Sequence, residues 1–246
     1  GVVLGCRGSL PEAAVYAVGL HRQYPRVLDV VDRFLAPSRY AAGQLVRLGV
    51  PEDRIEALPH FLPDEGFAAG SRAEAGTFAL YAGRLSAEKG VETAIDAAEL
   101  AGVPLRIAGD GPLEDGLRER ARASSTPVEM LGRVSPMDLA LLRRDAAAEL
   151  VPSRSDETFG LSALEAMGAG VPVVATRAGA LPELVGEERC VPRDDADVMA
   201  ARLRQLWHDP ELRHAEGEQL MARARKDYGR ERFTSRLLDL YARIAE

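Results

Sequence analysis

The segment Tyr81-Ala-Gly-Arg-Leu-Ser-Ala-Glu-Lys-Gly90 places two cations, Arg84 and Lys89, on either side of a turn. Lys89 falls at or just before a helix start, where a positive charge opposes the helix macrodipole by about a few tenths of a kcal/mol or more. An anion held between Arg84, Lys89 and the helix-start amides removes that conflict, because all three attract it. The plainer reading makes both side chains solvated loop cations. A second constellation is Glu157-Thr-Phe-Gly-Leu-Ser-Ala-Leu-Glu165, two carboxylates with Gly160 between them. Glu157 is expected in a loop, Gly160 to let a ligand approach the backbone, and the Phe159, Gly160 and Leu161 amides to open a helix. Glu165 then lies one turn into that helix, on a face that can look back at the same cleft. Ionised carboxylates accept hydrogen bonds from sugar and ribose hydroxyls. Alternatively, Glu157 merely complements the helix dipole and Glu165 is solvated.

Other candidate motifs carry less. Gly109-Asp-Gly-Pro112 looks like a dinucleotide turn, but Glu114 stands where the third glycine belongs, so the nicotinamide fingerprint is absent. Asp195-Ala-Asp197 has the spacing of an acidic metal pair, yet its place at a helix start favours capping. His21, His208 and His214 fall on helical stretches and read as surface residues, while His60 lies at the entrance of a linker. No Gly-x-Ser-x-Gly elbow, Cys-His pairing or Walker-type phosphate loop occurs, which removes support from simple hydrolase and kinase readings.

Short apolar runs at Phe78–Ala82, Pro104–Ala108, Val128–Leu131, Ala147–Val151, Val171–Ala175 and Arg189–Val191 predict strands. Between them, helical patterns run over Glu88–Ala101, Leu113–Ala123, Pro136–Arg144, Leu161–Ala169 and Leu181–Val185. This alternation predicts an α/β fold, a doubly wound parallel sheet covered on both faces. Ligands of such sheets bind beyond the carboxyl ends of the strands, which selects Gly83-Arg84, Gly109-Asp110-Gly111, Gly132-Arg133 and Pro152-Ser153. Ahead of this unit comes a shorter series: helix Pro11–Gln23, strand Val31–Ala36, helix Arg39–Leu48 capped by Ser38, and strand Arg54–Leu58. It is too little for a complete doubly wound domain, so a partial second Rossmann-like domain is expected. The Pro- and Gly-rich stretch Pro59–Gly76 reads as the connection. The expected division is 1–62, the end of one domain; 63–76, linker; 77–228, the complete domain; and 229–246, a terminal helix returning toward the first part.

The net charge of -7 and pI near 5.3 argue against nucleic acid as a partner. Hydrophobic residues at 46% and charged residues at 28% describe an ordinary soluble composition, and no apolar run approaches the ~20 residues of a membrane-spanning helix. Cys6 and Cys190 have no metal-type spacing and fit a reducing cytosol, with both thiols inert. The first residue is Gly1, so a start at a cleavage point or an artificial boundary is expected.

Taken in order, Gly83-Arg84-Leu85, Glu88-Lys89-Gly90, Gly109-Asp110-Gly111-Pro112, Pro152-Ser153, Glu157 with Glu165, and Gly170-Val-Pro-Val173 make the whole chain resemble the family 4 glycosyltransferases of the GT-B fold. The resemblance is strongest over the linker and second domain. Cys6-Arg7-Gly8-Ser9, Val31-Asp32-Arg33-Phe34 and Ala36-Pro37-Ser38 look like the end of that family's first domain. It implies a nucleotide-sugar donor of UDP or GDP type and a glycan, lipid-linked or small-molecule acceptor. It further implies retention of anomeric configuration, no metal and no further cofactor. Arg84, Lys89 and Glu157 would form the catalytic set, the two cations on the diphosphate and Glu157 on the donor sugar. Gly83, Gly109, Gly111, Arg133, Val134, Phe159, Gly160, Leu161 and Glu165 would bind donor, with Glu165 on the ribose and Arg133-Val134 near the base. His60 stands where the family commonly has asparagine. The resemblance also implies a cytoplasmic enzyme, with peripheral membrane association through the absent part of the first domain. A non-catalytic nucleotide-sugar-binding module and a GT-B epimerase are the alternatives, with a dehydrogenase a weaker third.

Overall fold

The computed structural model describes residues 10–245; Cys6 and the Cys6–Ser9 segment lie outside these residues, as does the side chain of His21. Two parallel sheets are present. The first pairs β1 (Phe34–Ala36) with β2 (Ile55–Ala57), flanked by α1 (Leu10–Val30) and α2 (Arg39–Arg47). The second has six strands: β3 (Phe78–Ala82), β4 (Leu105–Ala108), β5 (Val128–Gly132), β6 (Ala146–Val151), β7 (Val173–Thr176) and β8 (Cys190–Val191). Their spatial order is β5-β4-β3-β6-β7-β8, all parallel, so the winding direction reverses between β3 and β6. The crevice beyond the carboxyl ends of those two strands is where a doubly wound sheet receives its ligand.

Both faces of this sheet are covered, which is why its strands read as continuous apolar runs. Phe78 and Leu80 of β3 face one core with α6 (Leu161–Gly168), α7 (Leu181–Val185) and α9 (Pro210–Tyr228). Ala79 and Tyr81 face the other, with α3 (Val91–Ala101), α4 (Glu114–Ala123) and α8 (Ala196–His208). Helix α5 (Pro136–Arg144) starts on the Ser135 cap, and Asp195 caps α8 by accepting the Val198 amide, as the capping reading of Asp195 expects.

Some elements differ from the sequence reading. Helix α1 runs through Pro25 to Val30 instead of stopping at Gln23, and β1 begins only at Phe34. An interior proline removes one intrahelical bond, while Arg54 compensates at the far end by donating to the Leu28 carbonyl at 2.6 Å. The stretch read as a connection is tied down along its length. Ala68 N–H donates to Gly168 O, Ser71 Oγ donates to Gly170 O, and Arg213 donates to the carbonyls of Ala73 and Glu74. The last helix, α10 (Arg230–Ala245), reaches β2: Arg236 donates to Ala57 O and Arg243 pairs with Glu56.

One charged strand residue of this sheet is fully buried. Glu149 of β6 is fully buried and pairs with the equally enclosed Arg143 at 2.8 Å. Burial alone would lower the guanidinium pKa, but Glu149 and then Glu165 outweigh it and hold the pKa above its ordinary value. Removing one partner strands the other charge, so Arg143→Ala is expected to lose about 3–5 kcal/mol of stability. Urea unfolding followed by circular dichroism measures this; an unchanged midpoint would contradict it.

Candidate functional site

The site is assembled from turns that follow β3, β4, β5 and β6. After β3, Gly83 and Arg84 leave the sheet, and a 3-10 turn at Ala87–Lys89 leads through Gly90 into α3. Gly90 has φ 65°, and a β-carbon there would lie 2.1 Å from the Pro152 carbonyl oxygen. Only glycine allows this contact between the β3 and β6 turns. The same two turns are joined by Arg154 and Ser155 N–H, both donating to Glu88 O at 2.9 and 3.2 Å. After β4, Gly109 sits equally close to its neighbour: a β-carbon would meet Gly83 O at 1.9 Å.

Two hollows open on this edge. The first, ≈ 260 Å³, is lined among others by Gly83, Arg84, Lys89, Glu157, Phe159, Gly160 and Leu161. The second, ≈ 540 Å³, is lined by Gly83, Arg84, Gly109, Gly111, Arg133 and Val134 together with Ala108, Asp110 and Leu139. Gly83 and Arg84 belong to both. The structure therefore brings eleven of the twelve sequence-selected residues to one continuous crevice.

Within it, Lys89 Nζ donates to Glu157 Oε1 at 2.7 Å, and Ser153 Oγ donates to the same oxygen at 2.5 Å. The Arg84 guanidinium is exposed and has no hydrogen-bond or ion-pair partner among the described residues. Its backbone is fixed, since Tyr81 Oη donates to Arg84 O at 2.8 Å. Burial, reinforced by the charges of Glu157, Glu88 and Glu149, pushes the Tyr81 phenol well above its ordinary pKa, so it stays a donor. Helix α6 begins after Gly160 with no side-chain cap, leaving its N-terminal amides at the hollow.

Three details refine the sequence reading. Glu165 lines neither hollow; its Oε2 pairs with Arg143 Nη1 at 2.7 Å. That arginine lies on α5 and engages one of the two carboxylate oxygens. Gly160, with φ 105°, answers to packing rather than to an open approach: a β-carbon would lie 2.7 Å from Leu181 Cδ2. The Phe159 ring is buried against His60 and Tyr228, with centroids 5.1 and 5.7 Å away, so only its backbone is available to a ligand. Sequence reasoning passed over Tyr81, Thr158 and Ser162, which also line the first hollow. Their only signal was position, beside residues already selected.

The β1–α2 segment contacts both the loop before α6 and helix α7. Ser38 Oγ donates to Thr158 O at 2.7 Å, and the Arg39 and Tyr40 amides donate to the Glu183 carboxylate at 2.9 and 3.2 Å. Elsewhere, Cys190 is enclosed and its thiol is pushed up to about 12 by burial, which agrees with an inert cysteine.

The model of the family described as "Glycosyl transferases group 1" matches residues 64–222. The chain belongs to the group 1 glycosyl transferases. A glycogen synthase of Mycobacterium tuberculosis is 39% identical over 142 residues, covering 53% of this chain and 34% of that protein. A D-inositol 3-phosphate glycosyltransferase of Pseudarthrobacter chlorophenolicus is 32% identical over 241 residues, covering 88% and 56%. The chain thus spans only about a third to a half of these relatives. Among solved structures, Anabaena Alr3699/HepE in complex with UDP and glucose superposes with TM-score 0.80 at 18% identity, covering 92% of this chain and 67% of that one. That similarity establishes the fold: the group 1 glycosyl transferase chain has the expected doubly wound architecture.

The Gly90–Pro152 contact holds the two turns together, so Gly90→Ala is expected to lower stability by on the order of 3 kcal/mol through strain and overpacking. Thermal unfolding checks this; a melting temperature equal to that of the parent chain would contradict it.

Proposed function

We propose that this chain is the donor-binding portion of a glycosyltransferase that uses a UDP- or GDP-type sugar, retains anomeric configuration and needs no metal. The observation that carries the reading is the unpaired Arg84 guanidinium at the junction of two hollows. A diphosphate at that junction would meet Arg84, Lys89 and the α6 amides together. The nucleoside would then extend toward Gly109, Gly111, Arg133 and Val134, and the sugar toward Glu157. Glu165 takes the ribose in this reading through Oε1, the oxygen not engaged by Arg143. The fixed cations Arg84 and Lys89 would carry out the charge stabilisation that a metal would otherwise supply.

In the transfer, the bond between the anomeric carbon and the diphosphate oxygen breaks and its electron pair leaves with the diphosphate, the acceptor oxygen bonds to that carbon, and the acceptor's proton passes to the departing diphosphate. Donors aimed at that growing charge stabilise the transition state more than the ground state. The acceptor hydroxyl belongs to a glycan, a lipid-linked saccharide or a small metabolite, approached from the side of residues 1–62. We place this end of the acceptor-binding domain, with residues 63–76 as its linker and 229–246 as the returning helix, in a cytoplasmic enzyme that associates peripherally with the inner face of a membrane. No described helix is long and apolar enough to cross one.

Calorimetric titration with UDP, GDP, ADP and NAD tests the donor site: binding of UDP or GDP without NAD is expected, and NAD preference would contradict it. Transfer assays on the full-length enzyme then separate an enzyme from a binding module. There, Arg84→Ala and Lys89→Ala are each expected to reduce turnover about a hundredfold, the loss of one transition-state donor; near-normal turnover in both would remove the phosphate assignment.

A further inference from the structure

Glu157 presents its two oxygens unequally. Oε1 accepts from both Lys89 Nζ and Ser153 Oγ, while Oε2 has no hydrogen-bond partner among the described residues. Ser153 is 2% exposed, and its own carbonyl accepts from Thr176 Oγ1 at 2.6 Å. Thr176 is buried in β7. A chain of contacts thus runs from the sheet through Thr176 and Ser153 to the wall of the first hollow. Lys89, by contrast, is 36% exposed and stands where a diphosphate would compete for its charge. Once an anion draws on Lys89, Ser153 is the donor that remains on Oε1.

We infer that Ser153 is a positioning residue: it locks the Glu157 carboxylate by Oε1 so that Oε2 accepts a hydroxyl of the donor sugar, and Thr176 holds Ser153 in place. The inference rests on the donor-site reading above and concerns recognition of the sugar, not of the nucleotide. It also defines the sugar's chemistry at that position. A neutral group able to donate a hydrogen bond fits Oε2, whereas a carboxylate there would face a like charge.

The test uses this chain and two pairs of probes, UDP with UDP-glucose and GDP with GDP-mannose. Calorimetry gives the affinity gained when the sugar is present. Ser153→Ala is expected to reduce that gain about tenfold while leaving diphosphate affinity within about twofold, the effect of one hydrogen bond to a charged group. Thr176→Val should reduce it in the same direction, and Thr176→Ser, which keeps the hydroxyl, should restore it. A merely structural serine would instead shift the affinities of diphosphate and sugar nucleotide together. If Ser153→Ala does not fold, Thr176→Val carries the test. Retention of the full gain in a folded Ser153→Ala or Thr176→Val chain, or no gain in the parent chain, overturns the inference and leaves the nucleotide site standing. Failure of the parent chain to bind any of the four probes overturns the donor-site reading as well.

Discussion

A methyl group at Gly90 would collide with the Pro152 carbonyl, and one at Gly109 with the Gly83 carbonyl. The first contact lies where the sheet reverses its winding and the second joins the turns after β3 and β4, so together they set the spacing of the turns that line the crevice. With the turns after β3 and β6 in contact, Lys89 and Glu157 meet at 2.7 Å across 68 residues of sequence. The hollow beside them is consequently shaped by backbone. Rigid placement of this kind is what an electrostatic site needs, because donors fixed in advance do not reorganise when charge develops.

Charge is distributed unevenly over that framework. The chain carries an excess of acidic residues, yet the junction of the two hollows presents a free guanidinium and uncapped helix amides. Lys89 is paired with Glu157, and Arg143 with Glu149 and Glu165, which leaves Arg84 and Arg133 as the crevice-wall cations without an ion-pair partner among the described residues. A compact anion would resolve this imbalance without any rearrangement of the fold. Under the proposed function, that anion is the diphosphate of a sugar nucleotide.

Much of this was legible in the residues. Buried parallel strands leave uninterrupted apolar runs, and Phe78–Ala82 and Pro136–Arg144 reproduce the predicted bounds without change. The β-to-α turns were legible because glycine and cations recur just after those runs. What stayed hidden depends on contacts between distant segments. Helix α1 passes Pro25, and its end is completed by Arg54, which local sequence cannot show. Glu165 is claimed by Arg143 from the neighbouring helix, although Glu149 within an apolar strand was a signal that some buried cation must exist. The stretch after Pro59 has linker composition, yet Ser71 and Arg213 fasten it to the body of the molecule.

The central claim is that a diphosphate settles where the two hollows meet. Hydrogen–deuterium exchange with and without saturating UDP reads this directly, amide by amide. The account predicts slowed exchange at residues 83–90, 109–111, 133–134 and 159–162, with β1 and α2 little changed. Protection confined to other segments, or none in these four, would contradict it.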